Sequence, residues 1–310
     1  MEPFAFKGRH IIDTADMSND EMMHLVKVCD EIQAMGADKA RTLCQGKILG
    51  TLFWEPSTRT RLSFEAAMFR LGGNVLGFSE ASSTSVSKGE TLADTIKTVS
   101  LYADIMAMRH PMEGSALAAS QYSEVPIING GDGPHLHPTQ TMGDIYTLIK
   151  EKGSLEGLKM GFLGDLLFGR TVHTLVRVLA RFGVELHFFN PEGLNIPAYV
   201  RRDLENKGAV FTEQEGLEER LPELDALYVT RLQKERFFSE EEYLRKKNSY
   251  VVDRETLSRA KSDVLVLHPL PRNEEIHPNV DALPNAGYFR QATYGMQMRM
   301  ALISSCLGVM

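Results

Sequence analysis

The chain contains 310 residues, with 34 Lys and Arg against 41 Asp and Glu, so its formal net charge is −7. At about 100 to 200 residues per domain, this length fits two domains and excludes a small scaffold that depends on disulfides or metals. The acid excess argues against a general binder of nucleic acid or anionic membranes, because such proteins concentrate Lys and Arg on one face.

Cysteine usage indicates a reducing compartment. Cys29, Cys44 and Cys306 show no CxxC or Cys/His spacing, which disfavours both a disulfide framework and a zinc site. The N-terminal stretch lacks the basic-then-apolar pattern of a secretory signal, and no apolar run approaches the roughly 20 residues that span a bilayer. We therefore expect a cytoplasmic protein that is not inserted in a membrane.

From about residue 45 onward, short apolar runs alternate with stretches of helical period. The runs are continuously apolar rather than alternating, which is typical of strands buried in a parallel sheet. Seven strands are predicted in chain order: Lys47–Phe53, Ile105–Met108, Val125–Asn129, Lys159–Leu163, Val184–Phe189, Ala226–Val229 and Val264–Leu267.

The intervening stretches carry apolar residues at four-residue spacing, as in Leu62 with Ala66 and Phe64 with Met68. This alternation of strands and helices predicts the α/β class, with doubly wound parallel sheets covered on both faces. The predicted helices are Thr60–Leu71, Thr91–Ala103, Gln140–Lys152 and Thr171–Phe182.

A polar segment, Gly153–Gly157, follows the third of these helices and separates two α/β halves, residues 1–140 and 153–290. Two other stretches, Ser79–Gly89 and Leu232–Asn248, are too polar for core elements. We predict long loops there, and long loops in a compact domain are usually functional or mobile.

The strongest local motif is Glu55-Pro56-Ser57-Thr58-Arg59-Thr60-Arg61, between the first strand and a helix. The N–H groups and dipole of a helix N-terminus favour an anion, and three hydroxyls and a guanidinium could bind phosphate oxygens there. The simpler interpretation is that Ser57 or Thr58 caps the helix while the arginines are solvated. The motif is not GxxxxGK[ST], which disfavours a nucleoside triphosphate.

Two further motifs follow predicted strands of the first half: Arg109-His110-Pro111 and His137-Pro138-Thr139-Gln140. A lone His-Pro is more often a turn histidine bonded to the backbone. Here Arg109, His137 and Gln140 would face the same anion pocket, and all can donate to a carbonyl oxygen that gains negative charge. The combination favours acyl-type transfer from a phosphorylated donor.

The second half offers Arg170 at a helix start, Arg231 after a strand, and a turn with two prolines at His268–Arg272. Arg170 could hold a carboxylate or be a solvated side chain at a helix start. The turn could present backbone carbonyls to a ligand or be rigid and nothing more. Since GxGxxG is missing, a dinucleotide-binding oxidoreductase is disfavoured.

Taken together and in order, these motifs resemble those of aspartate carbamoyltransferase catalytic chains, in the aspartate/ornithine carbamoyltransferase family. The resemblance covers nearly the whole chain. It implies transfer of a carbamoyl group from carbamoyl phosphate to the amino group of L-aspartate, an early step of de novo pyrimidine synthesis, with neither metal nor organic cofactor. It also implies that the final helix, Thr293–Leu307, folds back on the first domain, so residues 293–310 would join residues 1–140.

The resemblance implies roles for those residues of this chain that occupy the matching positions of the family motifs. Polarisation of the carbonyl is implied for Thr60, Arg109 and His137, and Arg59 belongs with them among the catalytic residues. The complete carbamoyl phosphate site would comprise Ser57, Thr58, Arg59, Thr60, Arg109, His137, Gln140, Leu270 and Pro271. Aspartate would be bound by Lys88, Arg170, Arg231 and Gln233.

In the family, a polar loop of the neighbouring subunit completes each active site, which implies a homotrimer. Here that loop would contribute Ser85 and Lys88, of which Lys88 matches better because the family pattern differs around Ser85. The resemblance leaves room for regulatory chains as further partners, which the sequence does not identify.

Two rival functions stand beside this one. Ornithine carbamoyltransferase shares the donor site, but ornithine is cationic and needs an acid, whereas Arg170 and Arg231 suit an extra carboxylate. The turn also reads His-Pro-Leu-Pro rather than His-Cys-Leu-Pro, and Asp165 is the one acid that keeps ornithine open. A non-catalytic homologue would be expected to lack donor-site residues, and none is missing here.

Overall fold

The computed structural model describes residues 5–232 and 250–310. The strands are β1 Ile48–Phe53, β2 Asn74–Phe78, β3 Ile105–His110, β4 Ile127–Asp132, β5 Lys159–Leu163, β6 Glu185–Phe189, β7 Phe211–Gln214, β8 Ala226–Val229 and β9 Leu265–Leu267. The α-helices are α1 Asn19–Ala34, α2 Ala37–Ala40, α3 Thr58–Arg70, α4 Leu92–Ser100, α5 Ser115–Ser120, α6 Pro138–Lys152, α7 Arg170–Arg181, α8 Ala198–Asn206, α9 Arg254–Leu257 and α10 Tyr288–Leu307. Short 3₁₀ turns lie at Thr14–Asp16, Ala81–Ser83, Ser85–Lys88, Leu221–Glu223 and Pro278–Val280.

The strands form two sheets, ordered β2-β1-β3-β4 and β7-β6-β5-β8-β9, and all of these strand pairs are parallel. This confirms the predicted α/β class with two doubly wound parallel sheets. The strand order reverses between β1 and β3 in one sheet and between β5 and β8 in the other. In open α/β sheets, ligands bind outside the carboxyl ends of the strands at such reversals.

The chain divides into two compact units. One consists of the residues up to Tyr146 together with Thr293–Met310, and the other is Thr147–Ala292. The divisions therefore fall inside α6 and α10. Most of α10 belongs to the first unit, where Gln297 Nε2 donates to Gln33 Oε1 at 3.0 Å and the Gly8 N–H donates to the Cys306 carbonyl at 2.9 Å. The C-terminal helix thus packs on the N-terminal unit, as expected.

The continuously apolar runs of the sequence form the buried cores of the two sheets. Every residue of β4 and β8 is buried, because each strand is covered on both faces. In the first unit Leu52, Met106 and Ile127 share one cluster, and in the second Leu227 and Val266 share another. Among the described residues, no helix is long and apolar enough to cross a lipid bilayer.

Two strands were missed, and five of the seven predicted strands differ from the observed bounds by one to three residues at one or both ends. The missed strands, β2 and β7, lie at sheet edges and contain no buried residue. β7 is mostly polar, and the short apolar run of β2 is interrupted by Gly77. β3 extends through Arg109 and His110, which were expected to follow it. The extension forms because Phe53 of β1 pairs with Arg109 and Asp132 of β4 pairs with His110.

Candidate active site

The first sheet brings two motifs together at its reversal of strand order. β1 and β3 are neighbours in parallel register, with Phe53 opposite Arg109. The chain leaves β1 towards Ser57 and α3, while Arg109 and His110 end β3. The register shifts between Met108 and His110, and bulges of this kind redirect side chains near functional sites.

The N-terminus of α3 does not use the serine as a cap. Ser57 occupies the N-cap position with extended backbone, yet its side chain makes no capping hydrogen bond. Thr58 and Arg59 are exposed in the first turn, and Thr60 is buried. This geometry disfavours the simple capping interpretation of Ser57, because the hydroxyl is not committed to the backbone N–H groups that it would cap. Those groups and the hydroxyls suit an anion.

Thr60 and His137 converge in the first unit. Thr60 Oγ1 lies 3.5 Å from His137 Nε2, and both residues are less than 10% exposed. Gly130 of β4 lies beside them: a Cβ there would be 3.0 Å from the Met108 carbonyl oxygen and 3.5 Å from Thr60 Cγ2. The missing side chain therefore allows the β4 backbone to approach the threonine closely.

Arg109 is held by a carboxylate. Its Nε donates to Glu55 Oε1 at 2.6 Å, and the two side chains are 17% and 27% exposed. An anionic ligand would meet an arginine that is already oriented, and it would compete with Glu55 for that charge. Burial lowers the pKa of the neighbouring His110, although the charge of Glu55 acts in the opposite direction.

Gln140 is oriented within its own helix. Its Nε2 donates to Asp144 Oδ1 at 2.8 Å, one turn further along α6. Asp144 is fully buried. The sequence analysis missed Asp144, although its four-residue spacing from Gln140 on a predicted helix was a usable signal.

The second sheet brings its own two motifs together where β5 adjoins β8. The Thr230 N–H donates to the Leu163 carbonyl at 2.8 Å, and its hydroxyl donates to the Asp165 carbonyl at 3.3 Å. Gly164 has φ +117°, and a Cβ there would lie 2.3 Å from the Thr230 carbonyl oxygen. Only glycine permits this approach, which fastens the two loops together beside Arg231.

Asp165 stabilises the loop before α7. It is fully buried, and its Oδ1 accepts a hydrogen bond from the Phe168 N–H at 2.9 Å. The loop ends at Gly169, and Arg170, half-buried, begins α7. A carboxylate that shapes the loop in this way weakens the case for Asp165 as a partner of a cationic substrate.

The proline-rich turn is organised by His268. The Leu270 N–H donates to His268 Nδ1 at 2.8 Å, so the ring proton lies on Nε2, which faces Glu275 Oε1 at 2.8 Å. Burial lowers the pKa of His268 and so favours the neutral ring, whereas the charge and hydrogen bond of Glu275 act in the opposite direction. Leu270 has φ +54°, an uncommon conformation for a residue with a side chain, and the Leu270–Pro271 bond is cis.

Arg272, by contrast, is committed to packing. It forms a two-pronged ion pair with Asp281, donates to the Tyr288 hydroxyl at 3.0 Å, and lies 5.0 Å from the centroid of that ring. This arginine therefore stabilises the second unit and is not a candidate for substrate binding. Glu275 and Asp281 escaped the sequence analysis because their partners are identified only by the folded turn.

The remaining candidates lie apart from these contacts or outside the described chain. Ser85 and Lys88 occupy a 3₁₀ turn and are exposed. Gln233 lies outside the described residues, as does nearly all of the predicted loop Leu232–Asn248. Within residues 5–232 and 250–310, no group of three or more His, Cys, Asp or Glu side chains could hold a metal ion.

Comparison with known proteins matches both halves of the chain to one family. Residues 9–150 match the model of the aspartate/ornithine carbamoyltransferase carbamoyl-P binding domain, and residues 156–306 match the Asp/Orn binding domain. The aspartate carbamoyltransferase catalytic subunit of Clostridium kluyveri is 51% identical over 304 residues, 98% of this chain and 99% of that one. The subunit of Clostridium botulinum is 53% identical over 305 residues, again 98% and 99%.

Solved structures similar to this chain belong to the same kind of enzyme as the related sequences. The catalytic subunit of M. jannaschii aspartate transcarbamoylase superimposes with a TM-score of 0.92 at 46% identity, covering 97% of this chain and 98% of that one. The Trypanosoma cruzi aspartate transcarbamoylase, in complex with carbamoyl phosphate and aspartate, gives 0.90 at 39% identity, with 98% and 99% covered.

Proposed function

Because the chain belongs to the aspartate/ornithine carbamoyltransferase family, we propose how its residues serve the family's reaction. The chain is an aspartate carbamoyltransferase. It transfers the carbamoyl group from carbamoyl phosphate to the amino group of L-aspartate, giving N-carbamoyl-L-aspartate and phosphate in de novo pyrimidine (UMP) synthesis.

The phosphate of the donor binds at the N-terminus of α3. Ser57, Thr58 and Thr60 donate hydroxyl hydrogen bonds, and Arg59 adds a charge-assisted contact. The proposal is supported by the N-cap serine, whose side chain makes no capping bond, and by the exposure of Thr58 and Arg59 in the first helical turn. Gln140, Leu270 and Pro271 complete the donor site.

The carbonyl of the donor is polarised by Thr60, Arg109 and His137. The 3.5 Å approach of Thr60 Oγ1 to His137 Nε2 supports this role, because it brings a hydroxyl and an imidazole nitrogen within reach of one carbonyl oxygen. The aspartate nitrogen forms the new C–N bond, the tetrahedral intermediate collapses, and the C–O bond to phosphate breaks. The amine proton leaves on the phosphate, so no protein base and no covalent enzyme intermediate is required.

Aspartate binds through its two carboxylates to Arg170, Arg231 and Gln233, with Lys88 from a neighbouring chain. Arg170 begins a helix, where the dipole adds to its charge, and Arg231 follows a strand that is fastened to the same loop. On this assignment residues 1–140 with 293–310 form the carbamoyl phosphate domain, and residues 153–290 form the aspartate domain.

The choice of L-aspartate as acceptor rests on the charged residues at the reversal of strand order between β5 and β8. Arg170 and Arg231 suit a second carboxylate, and the carboxylate of Asp165 shapes the loop. Purified protein with carbamoyl phosphate should form a ureido product with L-aspartate and not with L-ornithine. Comparable rates with both acceptors, or no product with either, would refute the assignment.

We further infer a homotrimer in the cytoplasm, with Ser85 and Lys88 reaching a neighbour's site. Both side chains are exposed, and α3 exposes two large apolar side chains, Leu62 at 53% and Phe69 at 57%. Such side chains favour a protein interface. The three cysteines are free thiols, as a reducing compartment would leave them. Light scattering should give a particle three times the 34.7 kDa chain mass; a monomer would contradict the shared site.

A further inference from the structure

One buried charge in the C-terminal helix is not explained by the reaction. Arg299 is the only charged residue after Arg290, it is 5% exposed, and its neighbours Met298, Met300 and Ala301 are buried. Burial lowers the pKa of Arg299 to about 10, opposed by the charge of Asp144. Arginine is almost never fully buried unless it is paired, so this position requires a reason.

The guanidinium contacts both segments that carry the proposed donor site. Arg299 Nη2 donates to Thr139 Oγ1 at 3.1 Å, and Thr139 stands between His137 and Gln140 in the sequence. On another side, the guanidinium carbon lies 5.1 Å from the centroid of the Phe64 ring. Phe64 is one helical turn beyond Thr60 on α3, the helix that would bind phosphate.

Arg299 is also linked by charge to the carboxylate that orients Gln140. Asp144 is fully buried and accepts the Gln140 Nε2 hydrogen bond at 2.8 Å. The charge of Asp144 raises the pKa of the Arg299 guanidinium, against the larger effect of burial. The arginine therefore lies within the electric field of the group that fixes the Gln140 amide.

Two glycines bring the helices close enough for these contacts. A Cβ on Gly143 of α6 would lie 2.9 Å from the Gly295 Cα of α10, and a Cβ on Gly295 would lie 3.1 Å from Arg299 Nη1. The helices therefore touch through backbone at this point, with the guanidinium packed beside it. Such close packing leaves the arginine little freedom to move.

We propose that Arg299 is a positioning residue for carbamoyl phosphate, acting on Gln140 through Thr139 and Asp144 and on the phosphate-binding helix through Phe64. It touches no substrate. The inference rests on the proposed function, because it assumes that the donor occupies this site. A purely structural role predicts a different result. Removing one buried charge would then lower the free energy of unfolding, because the opposite charge is left buried without compensation, but the folded variant would bind carbamoyl phosphate like the wild type.

The test compares Arg299→Met and Arg299→Lys with a matched arginine elsewhere. Arg177 in α7 also lies 5.1 Å from an aromatic centroid, that of Tyr199, and also pairs with an acid, Asp203. Calorimetry with carbamoyl phosphate should show an affinity about tenfold weaker for Arg299→Met, within the ~100-fold that a 1 Å misplacement can cause. Arg299→Lys should restore part of it, and Arg177→Met should bind like the wild type.

If Arg299→Met does not fold, the carbamoyl phosphate affinity of Thr139→Val is measured instead. This variant keeps the shape of the side chain and removes the hydroxyl that accepts from the guanidinium. Wild-type affinity in the folded Arg299→Met protein, or in Thr139→Val when Arg299→Met is unfolded, would overturn the inference. Product formation by the wild type with carbamoyl phosphate and L-aspartate is measured alongside. Its failure would overturn the proposed function itself, whereas normal turnover with unchanged variant affinities would overturn only the role of Arg299.

Discussion

Arg59 and Arg272 illustrate two opposite uses of the same side chain. Arg59 is exposed in the first turn of α3, whereas Arg272 is paired with Asp281 and stacked on Tyr288. An exposed side chain contributes little to folding, while a paired arginine packed on a ring contributes through charge and contact area. Position in the fold, not residue type, therefore separates Arg59, proposed to bind the donor phosphate, from the structural Arg272.

Arg59→Ala should therefore lower turnover by at least about 100-fold, the scale for losing one donor at a developing charge. Its free energy of unfolding should change by no more than about 0.5 kcal/mol, as for most surface substitutions. Arg272→Ala is the contrast and should destabilise the protein by about 1–3 kcal/mol, since bonds to charged groups are lost. Urea unfolding and a product assay check both. An unfolded Arg59→Ala protein would instead assign that arginine a structural role.

At the scale of elements, two helices have serine at the N-cap position and use it differently. Ser18 closes a capping box on α1, accepting from the Glu21 N–H at 3.1 Å while Glu21 Oε2 accepts from the Ser18 N–H at 2.7 Å. Ser57 makes no capping bond on α3. Because the Ser57 hydroxyl does not accept from the N–H groups at the start of α3, a bound anion can accept from them instead.

Ser18→Ala should cost about 1 kcal/mol of unfolding free energy without ligand, as caps usually do, and leave carbamoyl phosphate binding unchanged. Ser57→Ala should cost distinctly less in the same measurement and should weaken carbamoyl phosphate binding. Urea titrations and calorimetry on the two variants make the comparison. Equal losses of stability with no change in affinity would show that Ser57 is an ordinary cap.

The central strands were predictable because they follow from local sequence, and the candidate site was predicted from the motifs that follow those strands. β5 and β8 were predicted with their observed bounds, since uninterrupted apolar runs mark strands covered on both faces. The edge strand β7, which contains no buried residue, lacks that mark. The residues that support the site were not predictable: Arg299 meets Thr139 across 160 positions, and only the fold reveals that contact.

At the scale of the whole molecule, buried groups define the pH range of stability. Burial lowers the pKa of His173, His187 and His268 below the ordinary 6.5. As pH falls through that value, the unfolded chain takes up protons that the folded chain refuses, so stability decreases. Burial raises the pKa of the Cys44 and Cys306 thiols from 9.0 to about 12. Above pH 9 the unfolded chain therefore loses protons first, and stability decreases again.

We therefore expect unfolding free energy to be greatest between about pH 6.5 and 9 and to drop by at least about 1 kcal/mol on going from pH 7.5 to 5.5, given ~1.4 kcal/mol per pKa unit. Urea unfolding at the two pH values tests this. His187→Gln should show a smaller drop, because a buried imidazole that must stay neutral has been removed. A profile that is flat, or that rises towards acid, would contradict the assignment of neutral buried histidines.

The negative net charge of the whole chain is compatible with negatively charged substrates. On the proposed assignment, a chain of −7 binds two anionic substrates through Arg59 and Arg109 at one strand reversal and through Arg170 and Arg231 at the other. Local groups, rather than an overall positive field, then provide the binding.

The most direct test of the account is a single turnover with carbamoyl phosphate labelled at its carbonyl carbon and L-aspartate. The account predicts that all the label appears in N-carbamoyl-L-aspartate, that one phosphate is released per product, and that no label is attached to the protein. Label retained on the protein, or phosphate released without the ureido product, would contradict direct transfer between the two bound substrates.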